Sequence, residues 1–493
     1  WMFISSNGGI SAGRKSPEYA LFPYYTDDKL QELADTTGSK SIFQIHKNNK
    51  IYIWEPFSER YTGKYKISRN LYKNKSCNKL MFEEINHDLE LSFRYQWNTS
   101  DAYGFVKKSE LRNTSDADCQ ITVLDGIQNV MPFGIDPDMQ MTTSNLADAY
   151  KKNELVKESG IGIFALSAII VDKAEPSEAL KANTVWSTGL SNPQYLISSL
   201  QLDQFRSKQP VDEEVDIRGE KGAYFVKSEI MLPNKAAKQW KIIADVNQNH
   251  SEIIDLKHSI EQAEDLDSAI QKDIDDGTHK LVELVAGSDG LQLTEDTFKD
   301  ARHYSNVLYN IMRGGTFDHN YLIEKEDFAN YLANANSDVY KNNKAFITQL
   351  NKKCNRMELE ALLDDLDDPD LTRLAKEYLP LKFSRRHGDP SRPWNQFSIN
   401  TKDEQDGSKV LDYEGNWRDI FQNWEALVHS YPDFIEGMIH KFLNASTFEG
   451  YNPYRVTKRG FDWERIDPDD PWSYIGYWGD HQIIYLLKFL EFY

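Results

Sequence analysis

A chain of 493 residues, 40% hydrophobic and 12% aromatic, is too long for one compact core and divides into two or three domains. Its formal charge of −20 excludes nucleic acid and anionic membrane surfaces as main partners, since both select basic faces. No run approaches the roughly 18 apolar residues of a membrane helix.

The first 250 residues read as antiparallel β-structure. Leu89 to Trp97 and Cys119 to Val123 alternate apolar and polar residues, as half-buried strands must. Further strand-like runs are Gly160 to Val171, Ala223 to Leu232 and Trp240 to Val246, separated by turn-rich segments such as Asn98 to Asp101 and Asn113 to Asp118. Many strands without intervening helices predict a large β-sandwich over 1–250. One basic stretch (Arg60, Lys64, Lys66, Arg69, Lys73, Lys75, Lys79) has no nucleic-acid motif beside it and reads as solvated surface.

From about Ser251 the apolar spacing becomes helical. Residues 251–380 are expected to form an acidic helical linker or insertion, with Pro369 splitting Leu359 to Leu379 into two helices. Met312 to Phe317 is a glycine turn. The basic, proline-bracketed loop Arg385 to Trp394 leads into a final helical unit, 381–493. Cys77, Cys119 and Cys354 are scattered and read as free thiols of a reducing compartment, which points to a cytoplasmic protein. There is no basic-then-apolar leader, although a chain that starts at Trp1 leaves the natural N-terminus open.

The last hundred residues are the most specific. Six of eleven tryptophans fall there (Trp394, Trp417, Trp424, Trp463, Trp472, Trp478), among Arg418, Asp419, Arg459 and the acids Asp462, Glu464, Asp467, Asp469 and Asp470. Flat aromatic faces beside rigid carboxylates and guanidiniums suit a ligand apolar on its ring faces and hydroxylated round its rim, which is a sugar. The acids from Asp462 to Asp470 lack calcium-loop spacing and read as a solvated loop. A phosphate loop (Gly-x-x-x-x-Gly-Lys) and a His-Glu-x-x-His pair are both missing from the sequence.

Four segments follow in order: Tyr413 to Trp424 with Arg418-Asp419 and Gln422, Ser446 to Tyr454, Lys458-Arg459-Gly460, and Gly476 to His481. Together they resemble the N-terminal half of the catalytic barrel in the cellobiose and chitobiose phosphorylases, glycoside hydrolase family 94. Asn7-Gly-Gly9 and Asn145 to Glu154 are loosely similar to that family's first domain. The resemblance implies a multidomain β + α chain: an N-terminal antiparallel β-sandwich, a helical linker, then the first part of an (α/α)6 barrel. The long stretch 251–380 departs from the family and suggests a longer branch that acts on glucan oligomers.

The implied activity is inverting phosphorolysis of β-linked oligosaccharides to a sugar 1-phosphate, a glycosyl transfer. It needs no metal or organic cofactor and takes inorganic phosphate as co-substrate. By the motif match Arg418 and Asp419 hold hydroxyls of the donor sugar and Asp480 lies at the pocket rim. Trp417, Trp424 and Trp478 supply stacking faces or pocket walls. Each has a plainer reading as well. Arg418-Asp419 also fits a helix-start charge pair, Asp480 a helix cap, and the tryptophans core packing.

The family's Asp-Trp-Asn-Asp-type acid motif does not occur, so no catalytic residue is assigned. The last helix ends in apolar residues (Leu487, Leu490, Phe492), so a barrel cut off midway is expected. Such a fold would take as partners a β-linked oligosaccharide and phosphate, a second copy in a homodimer, and a second chain or segment completing the barrel. An inverting hydrolase on the same scaffold, and a non-catalytic carbohydrate-binding protein, are the alternatives.

Overall fold

A computed structural model describes residues 1–171, 177–383, 390–391, 399–403, 405–464, 468, 476–478 and 481–493, with the backbone alone at 477–478. It divides into two compact units, Trp1–His279 and Lys280–Tyr493. No helix among the described residues is long and apolar enough to cross a membrane.

The first unit is built on two large antiparallel sheets. The nine-stranded sheet runs from the edge strand Asp216–Arg218 through Lys151–Val156, Ile161–Leu166, Lys181–Thr188, Ala237–Asn249, Gly104–Asn113, Leu91–Ser100 and Leu80–Asn86 to Ile67–Lys73. The five-stranded sheet is ordered Gln194–Leu196, Gly222–Leu232, Cys119–Val130, Gly38–Lys47 and Lys50–Trp54. Alternate residues of both sheets share one core, with Phe43, Ile121 and Val123 from the smaller sheet and Phe93, Leu111 and Trp240 from the larger. This is the arrangement of a sandwich.

A buried polar cluster bolts the two sheets together. Asp125 of the smaller sheet accepts from Lys107 Nζ at 2.5 Å, Ser109 Oγ at 2.9 Å and Trp240 Nε1 at 2.7 Å, all on the larger sheet. Ser41 Oγ adds a fourth bond at 2.5 Å. Lys107 and Asp125 have no solvent exposure, and burial lowers the pKa of the lysine despite its partner. The basic stretch forms the exposed edge strand Ile67–Lys73 and its flanks, where Arg69 pairs with Glu84 at 2.8 Å and Lys79 with Asp275 at 2.9 Å.

The first unit extends past the expected boundary at residue 250. Helix His250–Gln262 opens with an Asn249/Glu252 capping box. Helix Leu266–Ala286 then lays Ile270 and Ile274 against Val106, Ile161, Trp186 and Ile243 on the outer face of the nine-stranded sheet. Burying that apolar face ties the first helices to the sheets, and the division between units falls inside the second helix.

The first helix that lies wholly within the second unit is Thr297–Gly314, which ends where Gly315 takes φ = 84°, a conformation that favours glycine. Between Phe317 and Tyr378 lies a small helical core of Ile323, Phe328, Leu332, Leu359, Leu363, Leu371 and Tyr378. Pro369 is the first residue of Pro369–Glu377, capped by Asp368, and the preceding helix Arg356–Asp364 stops before it. Trp417–Ser430, Ile435–Asn444 and Ile483–Phe492 pack round a second core with Trp417, Phe421, Trp424, Phe434, Phe442 and Phe489. Leu487 and Leu490 remain exposed on the last of these helices.

Candidate functional site

The strand Glu414–Asn416 runs straight into helix Trp417–Ser430, which carries Arg418 and Asp419 in its first turn. Glu414, Gly415 and Asn416 pair with Thr457, Val456 and Arg455, and that strand turns at Lys458-Arg459 into Gly460–Asp462. The Trp417 N–H donates to Tyr454 O at 2.9 Å, joining the second motif segment to the helix start. Strand Tyr451–Asn452 pairs with Tyr477–Trp478. Gln482 is fully buried and its Nε2 donates to the Arg418 carbonyl, so the chain after His481 is pinned to the same helix start. Four segments spread over some seventy residues of sequence therefore converge.

Arg418 is exposed and Asp419 is half-buried in the first helical turn, where a carboxylate is favoured by the helix dipole. His481, exposed, lies 3.0 Å from Gln482 through its Nε2. Among the described residues, four buried polar atoms in these segments make no hydrogen bond: the Tyr413 hydroxyl, Asn416 Oδ1, Trp417 Nε1 and Gln482 Oε1. Lys441, on the helix Ile435–Asn444, sits under the hairpin with its Nζ 5.6 Å from the Tyr413 ring and 5.9 Å from the Phe461 ring. Burial lowers its pKa to about 8, opposed by Glu377 and assisted by Arg373.

Trp417 and Trp424 are not stacking faces. Both are 0% exposed, seven residues apart on the apolar stripe of their helix. Trp417 packs on Phe421 and Phe442 at 4.9 and 4.7 Å between ring centroids. Trp424 meets Tyr413 and Phe421, and its Nε1 donates to Gly314 O at 2.8 Å. Helical spacing put these rings on one buried stripe, and the plainer reading of core packing applies to both.

Asp480 lies outside the described residues, as do the Trp478 side chain, Trp394, Trp472 and the acids Asp467, Asp469 and Asp470. Trp463, one of the six tail tryptophans but given no place in the pocket from sequence, is 38% exposed and stacks on Tyr451 at 5.9 Å with 16° between the planes. Tyr451 donates to Glu464 at 3.1 Å. Among the described residues of the tail, the exposed Trp463 on the half-buried Tyr451, with its carboxylate, presents a flat aromatic face. Its signal was the Trp463-Glu464 neighbour pair immediately after the Lys-Arg-Gly turn, which composition alone could not separate from the core tryptophans.

Arg455 is consumed by Asp462 at 2.7 Å and by Glu414 at 3.5 Å. Lys458 is likewise engaged, by both oxygens of Asp327 at 2.6 and 2.7 Å and by Leu411 O at 2.8 Å. Of the Lys-Arg-Gly turn, Arg459 is the exposed cation.

No curated protein matches the sequence. Among solved structures, a bacterial glucoamylase complexed with acarbose is similar at 9% identity and TM-score 0.38, over 91% of this chain and 56% of that one. A putative kojibiose phosphorylase from human microbiome is similar at 8% identity and TM-score 0.29, over 86% and 42%. A family 92 α-mannosidase from Bacteroides thetaiotaomicron is similar at 9% identity and TM-score 0.23, over 50% and 29%. These are distant likenesses, and the chain spans little more than half of the first structure and less of the others. Residues 317–380 match the family model described as glycoside hydrolase family 149 insertion domain 1. The small helical core of the second unit is thus a part this chain has in common with a carbohydrate-active enzyme family.

Proposed function

We propose that the protein acts in inverting phosphorolysis of β-linked gluco-oligosaccharides, and that this chain supplies the donor-sugar side of the pocket. The observation that carries the reading is the convergence of the four motif segments on the start of helix Trp417–Ser430. There the fixed fork of Arg418 beside the acceptor-only carboxylate of Asp419 can bridge adjacent sugar hydroxyls. Trp463, stacked on Tyr451, gives a flat face for a sugar ring. The match of 317–380 to a glycoside hydrolase family 149 insertion domain supports carbohydrate as the substrate class, and it falls within the stretch that departs from the disaccharide-acting family.

In the reaction, phosphate attacks the anomeric carbon from the face opposite the leaving group. A carboxylic acid donates its proton to the glycosidic oxygen as that bond breaks, giving a sugar 1-phosphate of inverted configuration and a shortened oligosaccharide. Arg418 and Asp419 orient the donor ring for that attack. The proton donor is not assigned to any described residue, and completion of an (α/α)6 barrel round these helices belongs to the same proposal.

The full-length gene product incubated with cello- or laminari-oligosaccharides should release sugar 1-phosphate only when phosphate is present. Release of free sugar without phosphate would identify an inverting hydrolase instead. Calorimetric binding without turnover would identify a carbohydrate-binding protein. Arg418→Ala should weaken oligosaccharide binding by at least tenfold, about 1.4 kcal/mol or more; unchanged affinity would remove this residue from the site.

A further inference from the structure

We propose that Asp327 is a positioning residue: it reaches from the insertion segment to the Lys458 turn and sets the hairpin that supports Arg418 and Asp419. The inference rests on reading that junction as the sugar site. Asp327 stands in the first turn of helix Lys325–Ala335, inside the matched segment 317–380. Its two carboxylate oxygens accept from Lys458 Nζ at 2.6 and 2.7 Å. The third proton of that ammonium goes to Leu411 O at 2.8 Å, so the lysine is fully used in holding the scaffold. The Tyr378 hydroxyl donates to Asp327 Oδ2 and fixes the carboxylate from the insertion side.

The geometry beyond the ion pair explains what it positions. Lys458 N also donates to Tyr413 O at 3.0 Å, so the turn is stapled at two points to the segment 411–413 that precedes strand Glu414–Asn416. The hairpin is paired along that strand. Displacing the turn therefore displaces the strand that delivers Arg418 and Asp419, and it moves Arg459 at the tip. Other ties of the insertion reach different places. Lys376 meets Glu436 at 2.7 Å on the helix Ile435–Asn444, and Gly437 of that helix lies directly against the Lys376 carbonyl. Those bonds dock helix on helix, whereas Asp327 meets the turn itself. An insertion that contributes a carboxylate behind the site can set pocket geometry without touching the substrate.

Hydrogen exchange on the full chain reads the positioning directly. Asp327→Asn should accelerate exchange of the amides in 411–416 and 455–462 by on the order of tenfold or more, while 356–364 and 369–377 keep their protection. Lys376→Met should leave 411–416 and 455–462 unchanged. In parallel calorimetry, Asp327→Asn should weaken binding of the oligosaccharide that the wild-type chain binds by on the order of tenfold, with partial recovery in Asp327→Glu.

Unaltered exchange in both segments would overturn the proposal whatever the sugar result. Faster exchange with unchanged sugar affinity would overturn the link to the site. A wild-type chain that binds none of the oligosaccharides would count against the proposed function, and the exchange data would still decide whether Asp327 holds the turn. Should Asp327→Asn fail to fold, Tyr378→Phe removes one hydrogen bond from the same carboxylate and is expected to act in the same direction more weakly.

Discussion

Trp424 shows how differently two tryptophans of the same tail can be employed. Its ring fills the core between Tyr413 and Phe421 and its indole N–H is satisfied by Gly314 O, so Trp424→Ala removes a large buried side chain and leaves a carbonyl unpaired. The expected loss is about 3–5 kcal/mol in a urea titration; a loss below about 1 kcal/mol would mean that the ring is not core. Lys441 is the opposite case, a charge held where water is excluded. Its folded pKa of about 8 lies below the ordinary 10.5, so between those values the unfolded chain binds more protons than the folded one. Stability contributed at this position therefore rises with pH across that window. Lys441→Met should stabilise the chain at pH 7 by on the order of 3 kcal/mol and by much less above pH 10. Chemical denaturation at the two pH values compares them, and a gain of equal size at both would contradict the burial argument.

At the scale of elements, the two sheets of the first unit are held in register across their interface by Asp125 and its four donors. Asp125→Ala leaves the Lys107 ammonium buried without its counter-charge, and the expected cost is about 3–5 kcal/mol. The double variant Asp125→Ala/Lys107→Met should recover much of that, because it removes the uncompensated charge. Equal destabilisation of single and double variants would show that packing, not charge, dominates. The strands themselves were largely legible beforehand: the alternation expected over Leu89 to Trp97 is realised from Leu91 in Leu91–Ser100, with Leu89 and Glu90 in the preceding turn, and Cys119 to Val123 falls within Cys119–Val130. Pro369 starts a new helix because its ring sets φ and its missing N–H costs nothing in the first turn. The buried ion pair was not legible, since Lys107 and Asp125 sit on different strands and nothing local marks either as buried.

For the whole molecule, the sequence by itself determined the class of each region: sheets first, helices after. Those properties are carried by periodicity and by neighbouring residues, which local sequence expresses directly. The boundary between units was decided by tertiary structure, because Ile270 and Ile274 look like any helical apolar pair until the outer face of the nine-stranded sheet covers them. Tertiary structure also separated core tryptophans from an exposed one, Trp417 and Trp424 from Trp463, which composition treats alike. Finally, it brought Asp327 to Lys458 across 131 positions of sequence. Long-range pairing of a carboxylate with a turn lysine leaves no periodic trace, so that ion pair could be found only once the chain had folded round it.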